Sequence, residues 1–143
     1  MPMQAKFVSV LAILFDLDGT LIDSLGDISG VVNLVRKEWK LAPWPAETVR
    51  PCVGRGKEHL IRHVMPEIPD DEVLQAVERY TALFLKLDPP SGQLYPGVRE
   101  TMAYLRSLPS LKLAIATNKT AVVAEKALRH YLPDIQFDAV AGP

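Results

Sequence analysis

The chain has 143 residues, 48% hydrophobic and 23% charged, with a net charge of −1; this is the profile of one globular domain, or of a small core with an insertion. The near-neutral balance carries no basic footprint, so no nucleic-acid partner is expected. The single cysteine, Cys52, excludes an internal disulfide and fits a reducing, cytoplasmic setting.

Residues 8–15 (VSVLAILF) are a nearly continuous apolar run of strand length, the pattern of a strand covered on both faces in a parallel sheet. The run meets charged Asp16 too soon to span a bilayer, and no small-residue cleavage site accompanies it. It therefore reads as a core strand, and no membrane partner is expected. Residues 24–41 turn helical, with Leu25, Ile28, Val32, Val35 and Trp39 at three- and four-residue spacings and Asp23 or Ser24 able to cap the start. Five prolines between 43 and 69 then keep helices short. Residues 48–53 and 57–64 are two such pieces, joined by Gly54-Arg55-Gly56. A longer helix opens at Pro69 or Asp70, with Val73, Val77, Tyr80, Phe84 and Leu87 on one stripe. After the loop at 88–93 comes an amphipathic segment carrying Val98, Met102, Leu105 and Leu108. A second apolar strand, 111–116, ends on Thr117-Asn118-Lys119. A helix over 121–132 and a short strand over 137–141 complete the order. The last part is a β-α-β unit, so the fold class is α/β with a parallel sheet of about three strands and a long helical insert after the first.

Asp16 and Asp18 stand two residues apart where the first strand ends, so alternation sends both to one side. Thr117 and Asn118 end another strand in the same way, and ligand sites of parallel α/β sheets lie at the carboxyl ends of strands. Two close carboxylates repel each other, which calls for a cation between them or a shifted pKa. Oxygen ligands at a half-open site suit Mg2+. Backbone N–H groups after Asp16, freed by Gly19, would cradle an anion together with the Thr117 hydroxyl and the Asn118 amide. A carboxylate nucleophile, a neighbouring acid, a metal and oxyanion donors together describe phosphoryl transfer through an aspartyl-phosphate.

The stretch "FDLDGTLIDS" resembles the nucleophile signature of the haloacid dehalogenase (HAD) superfamily of phosphohydrolases. "LYPGVRETMAYLR" and "AIATNK" resemble segments of its phosphoglycolate phosphatase-like branch. The resemblance implies a Rossmann-like core over 1–22 and 93–143 with a small all-helical cap over 23–92. It implies Asp16 as nucleophile and Asp18 as the acid that protonates the leaving alcohol and then activates water. Mg2+ would sit on the Asp16 carboxylate and the Asp18 backbone carbonyl, and Thr117 and Asn118 would hold phosphoryl oxygens. The cap would close over the site, with Arg55 and Lys57 reading a carboxylate or phosphate of a small phosphorylated metabolite. A sugar phosphomutase of the same superfamily and a non-catalytic phosphate-binding or assembly module are the alternatives.

Other residues have plainer readings. Asp23 is a helix cap or a surface carboxylate, and Trp39 and Trp44 are core of the insert. His59 and His63, four apart, lack a third ligand at a recognisable spacing and read as an exposed helix face. Cys52 is structural. Lys119 either approaches the phosphate or opens the next helix. The family also carries a lysine beyond its third strand and a Gly-Asp-x-x-x-Asp segment at the end of a fourth, and the chain stops at Pro143 before both would appear. The expectation is a piece of a longer phosphatase with little activity by itself. Its first strand would be an exposed edge that invites self-association.

Overall fold

The computed structural model describes residues 10–88 and 90–143. Its elements follow the expected order. The first strand, β1 (Ala12–Phe15), pairs in parallel with β4 (Lys112–Ala116), with Ile13 opposite Leu113 and Phe15 opposite Ile115. β4 in turn pairs in parallel with β5 (Ala139–Ala141), giving the sheet order β1-β4-β5. The insert holds α1 (Leu25–Glu38), α2 (Ala46–Val49), α3 (Lys57–Val64) and α4 (Val73–Lys86). Two helices flank the sheet in sequence, α5 (Val98–Ser107) before β4 and α6 (Ala121–Tyr131) before β5.

Three expectations need correction. The first strand is expected over 8–15 with both faces covered; positions 8 and 9 lie outside the described residues, pairing begins at Ala12, and Leu14 is 66% exposed. β1 is an edge strand of this sheet among the described residues, as expected, and it is covered on one face only: Ala12 and Leu14, which alternate to the same side, are exposed, while Ile13 and Phe15 are half-buried. The piece expected as one helix over 48–53 is α2 followed by a 3-10 turn at Arg50–Cys52, because Pro51 has no N–H to continue an α-helical ladder. Thirdly, Ile22–Asp23 (β2) and Gln93–Leu94 (β3) pair antiparallel where the chain leaves and re-enters the sheet layer. Strands of two residues carry no periodicity from which to be read.

Burial divides into two clusters. Ile28, Val32, Val35, Leu60, Ile61, Val73, Val77, Tyr80 and Phe84 form a core among the insert helices, with Trp39, Trp44 and Cys52 packed against it, as their apolar spacing predicts. Leu17, Ile22, Met102, Ile115, Leu128 and Leu132 form the second core, between the sheet and α5 and α6. Val123 of α6 belongs to the first cluster and so joins the layers. Lys126, also on α6, donates to the carbonyls of Leu85 and Leu87 at 2.7 Å each, satisfying the C-terminal end of α4.

The start of β5 is tied down by Asp138. Its carboxylate accepts the Leu113 N–H at 3.0 Å, Lys112 Nζ at 3.0 Å and Arg106 Nη1 at 2.8 Å. These bonds, the Leu113 amide first and then Lys112 and Arg106, hold its carboxyl well below the usual carboxylate range. The folded value is the depressed one. Asp138 therefore contributes stability above its unfolded value near 3.8, and that contribution is lost as pH falls through the folded value. Asp138→Asn is expected to lower the denaturation midpoint at neutral pH and to flatten its decline below about pH 4. A variant with the same acid limb as the unchanged protein contradicts this.

Candidate active site

A cleft opens where β1 and β4 end beneath the insert helices. The sheet side contributes Asp16, Asp18, Thr117, Asn118, Lys119 and Thr120; the insert contributes Val53, Gly54, Gly56, Lys57, Leu60, Tyr80, Thr81 and Phe84. Parallel pairing of Phe15 with Ile115 sets Asp16 beside the start of the Thr117 loop. The ladder continues one step beyond β4, since the Thr117 N–H donates to the Ala141 carbonyl at 3.0 Å, and this fixes where the Thr117 hydroxyl sits. That hydroxyl accepts the Lys119 N–H at 3.2 Å.

Asp16 is exposed at the strand end and lines the cleft. Asp18 is more enclosed, with its side chain 15% exposed. Ser24 Oγ donates to Asp18 Oδ1 at 2.5 Å, and Lys119 Nζ stands 3.2 Å from Oδ2. Ser24 is a candidate cap for α1, yet its oxygen accepts no helix N–H; its hydroxyl is instead turned to donate to the Asp18 carboxylate, a charge-assisted bond. Asp23 Oδ1 instead accepts the Leu25 N–H, at a long 3.4 Å. The tight turn after Asp18 needs Gly19 at φ +79°, a left-handed conformation that side chains disfavour. The Gly19 N–H, expected to face an anion, donates to the Ile22 carbonyl at 2.9 Å, and Gly19 is not part of the cleft wall. The turn closes on itself through that bond.

Asn118 lines the cleft and reaches the insert: its Nδ2 donates to the Gly54 carbonyl at 2.6 Å. Lys57, the first residue of α3, also lines the cleft, whereas Arg55 is exposed and outside its wall. Gly54 and Gly56 have φ of +105° and +88°, so the turn that brings their backbone over Asn118 requires glycine. His59 and His63 stack with ring centroids 3.9 Å apart, and His63 Nδ1 lies 2.7 Å from the His59 carbonyl oxygen. Both contacts are made between successive turns of α3. Among the described residues no trio of His, Cys, Asp or Glu side chains is placed to hold a metal ion, and no helix is long and apolar enough to cross a membrane.

Two residues of the site's surroundings, Asp27 and Tyr131, escape sequence reasoning. Asp27, 5% exposed, accepts the Ser91 N–H at 2.7 Å, the Ser91 hydroxyl at 2.6 Å and the Gly92 N–H at 3.1 Å. It thereby clasps together the two crossings between insert and sheet layer. Tyr131 lies beside it with its hydroxyl buried and without a hydrogen-bond partner among the described residues, and burial, then the Asp27 charge, push the phenol up to about 12. Tyr80, in the cleft wall, has its phenol pushed far above the ordinary range by burial. A carboxylate in a first helical turn ordinarily signals only the helix dipole, so nothing in the local pattern marks Asp27. At Gly92 an added Cβ would stand 2.8 Å from Tyr131 Oη, 2.9 Å from the Asp23 carbonyl oxygen and 3.2 Å from Asp27 Oδ2. Gly92→Ala is therefore expected to cost about 1–3 kcal/mol, read as a lower denaturant midpoint; an unchanged midpoint contradicts it.

A sequence model of haloacid dehalogenase-like hydrolases matches residues 13–142. The chain is 34% identical over 134 residues to a phosphoglycolate phosphatase of Rhodobacter capsulatus, covering 92% of this chain and 61% of that protein. It is 33% identical over 125 residues to one of Nitrosospira multiformis, covering 84% of this chain and 55% of that protein. The crystal structure of a predicted phosphoglycolate phosphatase from Haemophilus somnus superposes with a TM-score of 0.85 at 25% identity, over 95% of this chain and 64% of that one. The chain thus spans little more than half the length of the curated relatives it matches. The match runs from β1 to the end of β5 and includes both strand ends of the cleft, and on it the chain belongs to the haloacid dehalogenase-like hydrolase family.

Proposed function

We propose that the protein carrying this chain hydrolyses a small phosphate monoester through an aspartyl-phosphate on Asp16, with phosphoglycolate as the leading substrate. The observation that carries this reading is one cleft in which Asp16, Asp18, Thr117 and Asn118 from two strand ends face Lys57 from the insert. In the first step an Asp16 carboxylate oxygen forms a bond to phosphorus while the ester P–O bond breaks, and Asp18 supplies a proton to the departing alkoxide. In the second, Asp18 takes a proton from water as the water oxygen attacks the phosphoryl group, releasing orthophosphate and the free Asp16 carboxylate. The Thr117 hydroxyl and the second amide hydrogen of Asn118 donate to phosphoryl oxygens as negative charge gathers on them. Gly19 serves the turn, and its own N–H has no part in this cradle.

The donor set fits Mg2+. Each Asp18 carboxylate oxygen already has one partner, Ser24 on Oδ1 and Lys119 on Oδ2, and its remaining lone pair serves proton transfer, so the metal falls to the Asp16 carboxylate and the Asp18 main-chain carbonyl. Mg2+ keeps several waters and takes few protein carboxylates alongside a substrate phosphate. Bound there, it would supply Lewis-acid polarisation of the phosphoryl group.

The insert is assigned as a cap over 23–92 on the core formed by 1–22 and 93–143. Its apolar wall of Val53, Leu60, Tyr80 and Phe84 excludes water, and Lys57 meets the carboxylate end of the substrate, a role its place in the cleft favours over that of Arg55. Among the described residues one edge of β1 pairs with no strand, and with Leu14 exposed this supports pairing with a second copy. Orthophosphate release from phosphoglycolate, with Mg2+ present and then chelated, tests the function at native length. Release that needs Mg2+ supports it; no release from any small phosphate ester overturns it. Transfer of the phosphoryl group to a sugar hydroxyl instead of water would identify a mutase.

A further inference from the structure

Lys119 has no part in the chemistry proposed above, yet its side chain is only 11% exposed. An ammonium is strongly hydrated, and burying it is costly unless something replaces the water. Two groups do so. Asp18 Oδ2 lies 3.2 Å from Nζ, and the ring of Phe84 covers it with the centroid 4.1 Å away. These partners belong to different layers: Asp18 to the turn after β1, and Phe84, 9% exposed, to the last turns of α4 in the insert. The backbone at Lys119 is closely packed. Its N–H donates to Thr117 Oγ1, and a Cβ on Gly142 would collide with the Lys119 carbonyl.

The consequence falls on Asp18. With Ser24 on Oδ1 and Lys119 on Oδ2, both carboxylate oxygens are held, and rotation about the bond to the carboxyl carbon is restrained. One restraint comes from the chain crossing and is local. The other is made by an ammonium that a ring from the opposite layer covers. Asn118 of the same loop also reaches the insert, its amide donating to the Gly54 carbonyl.

We propose that Lys119 is a positioning residue for Asp18: with Ser24 it fixes the plane of the carboxylate, and it does so only when Phe84 of the insert covers its ammonium. The acid is thus aimed when the insert is seated and released when it lifts. The catalytic consequence rests on the phosphatase reading; the coupling of Phe84 to Asp18 through Lys119 does not. The substrates that need this device are alkyl phosphates, whose alkoxide leaving group must be protonated. An aryl phosphate departs with little help from an acid.

Two measurements at native length test the proposal. The first needs no turnover: the carboxyl 13C resonance of Asp18 is followed through Phe84→Leu and Lys119→Met, singly and together, with Lys119→Gln standing in should the methionine variant fail to fold. Phe84→Leu is expected to move the resonance when Lys119 is present and to leave it in place in the Lys119 variant. Equal movement in both backgrounds, or none in either, overturns the proposal. The second compares kcat for phosphoglycolate and for p-nitrophenyl phosphate. Lys119→Met is expected to lower the first roughly ten-fold more than the second, with KM for both nearly unchanged. Equal losses on the two esters point to a structural role and overturn the proposal. If the unchanged protein hydrolyses neither ester, the phosphatase reading falls and the resonance still decides the role of Lys119.

Discussion

Asp16→Asn is expected to lower kcat by roughly 10^4-fold or more, the scale of losing a nucleophile that acts in a concerted set, while leaving the fold in place. The carboxamide presents no anionic oxygen to phosphorus, so no covalent intermediate forms. Stability should change little, because Asp16 is exposed and makes no side-chain hydrogen bond or ion pair among the described residues. Removing its charge also removes repulsion of an incoming dianion, so the variant should bind orthophosphate at least as well as the unchanged protein. Calorimetric titration with orthophosphate beside steady-state kinetics separates the two effects. A variant retaining more than about a hundredth of the activity would show that Asp16 is not the group that attacks.

The largest loss of stability is expected from Arg36→Leu, at about 3 kcal/mol. Arg36 is 1% exposed, an unusual place for a guanidinium. Nε donates to the Ala42 carbonyl at 2.6 Å, Nη1 donates to the Val64 carbonyl, and Nη2 pairs with Glu67 Oε1 at 3.0 Å. The guanidinium also lies 4.7 Å from the centre of the Trp44 ring. One side chain thereby joins the end of α1, the loop after it and the end of α3. Leucine fills part of the volume but leaves the carbonyls without donors, and an orphaned buried acceptor costs more than the bond it had supplied. Urea unfolding of the variant measures the loss; a change under about 1 kcal/mol would mean that water replaces the guanidinium at little cost.

Arg36 also shows where sequence reasoning stops. In the last turn of α1 an arginine reads as a solvated charge that complements the helix dipole. What buries it are partners as far as 31 residues along the chain, which no local pattern reports. Long, periodic elements were legible for the opposite reason. The stripe through Val73, Val77, Tyr80 and Phe84 and the apolar run that became β4 carry their own burial pattern, and the structure places them accordingly. The run before Asp16 misled on face coverage alone: an apolar strand reads as covered on both faces, while Leu14 is largely exposed; the edge position of β1 among the described residues is as expected.

The candidate site divides along the same line. Asp16, Asp18, Thr117 and Asn118 announce themselves because two strand ends place them, and all four line one cleft. Ser24 and Lys119 were visible as residues but not as partners of Asp18; helix capping was the stronger local expectation for the one, and helix initiation stood open for the other. Gly19 erred in the opposite direction. Its left-handed turn was needed, but the N–H went to Ile22 and not to the cleft. Asp27 stayed hidden because its three donors come from Ser91 and Gly92, on the far crossing.

The most direct test of the account is to find the covalent intermediate. Protein at native length is mixed with phosphoglycolate and Mg2+, quenched in acid within one turnover, and its peptides are sequenced by mass spectrometry. The account predicts a phosphoryl group on Asp16, absent from the Asp16→Asn variant. Turnover with no label on the protein, or with the label on Asp18, would contradict it.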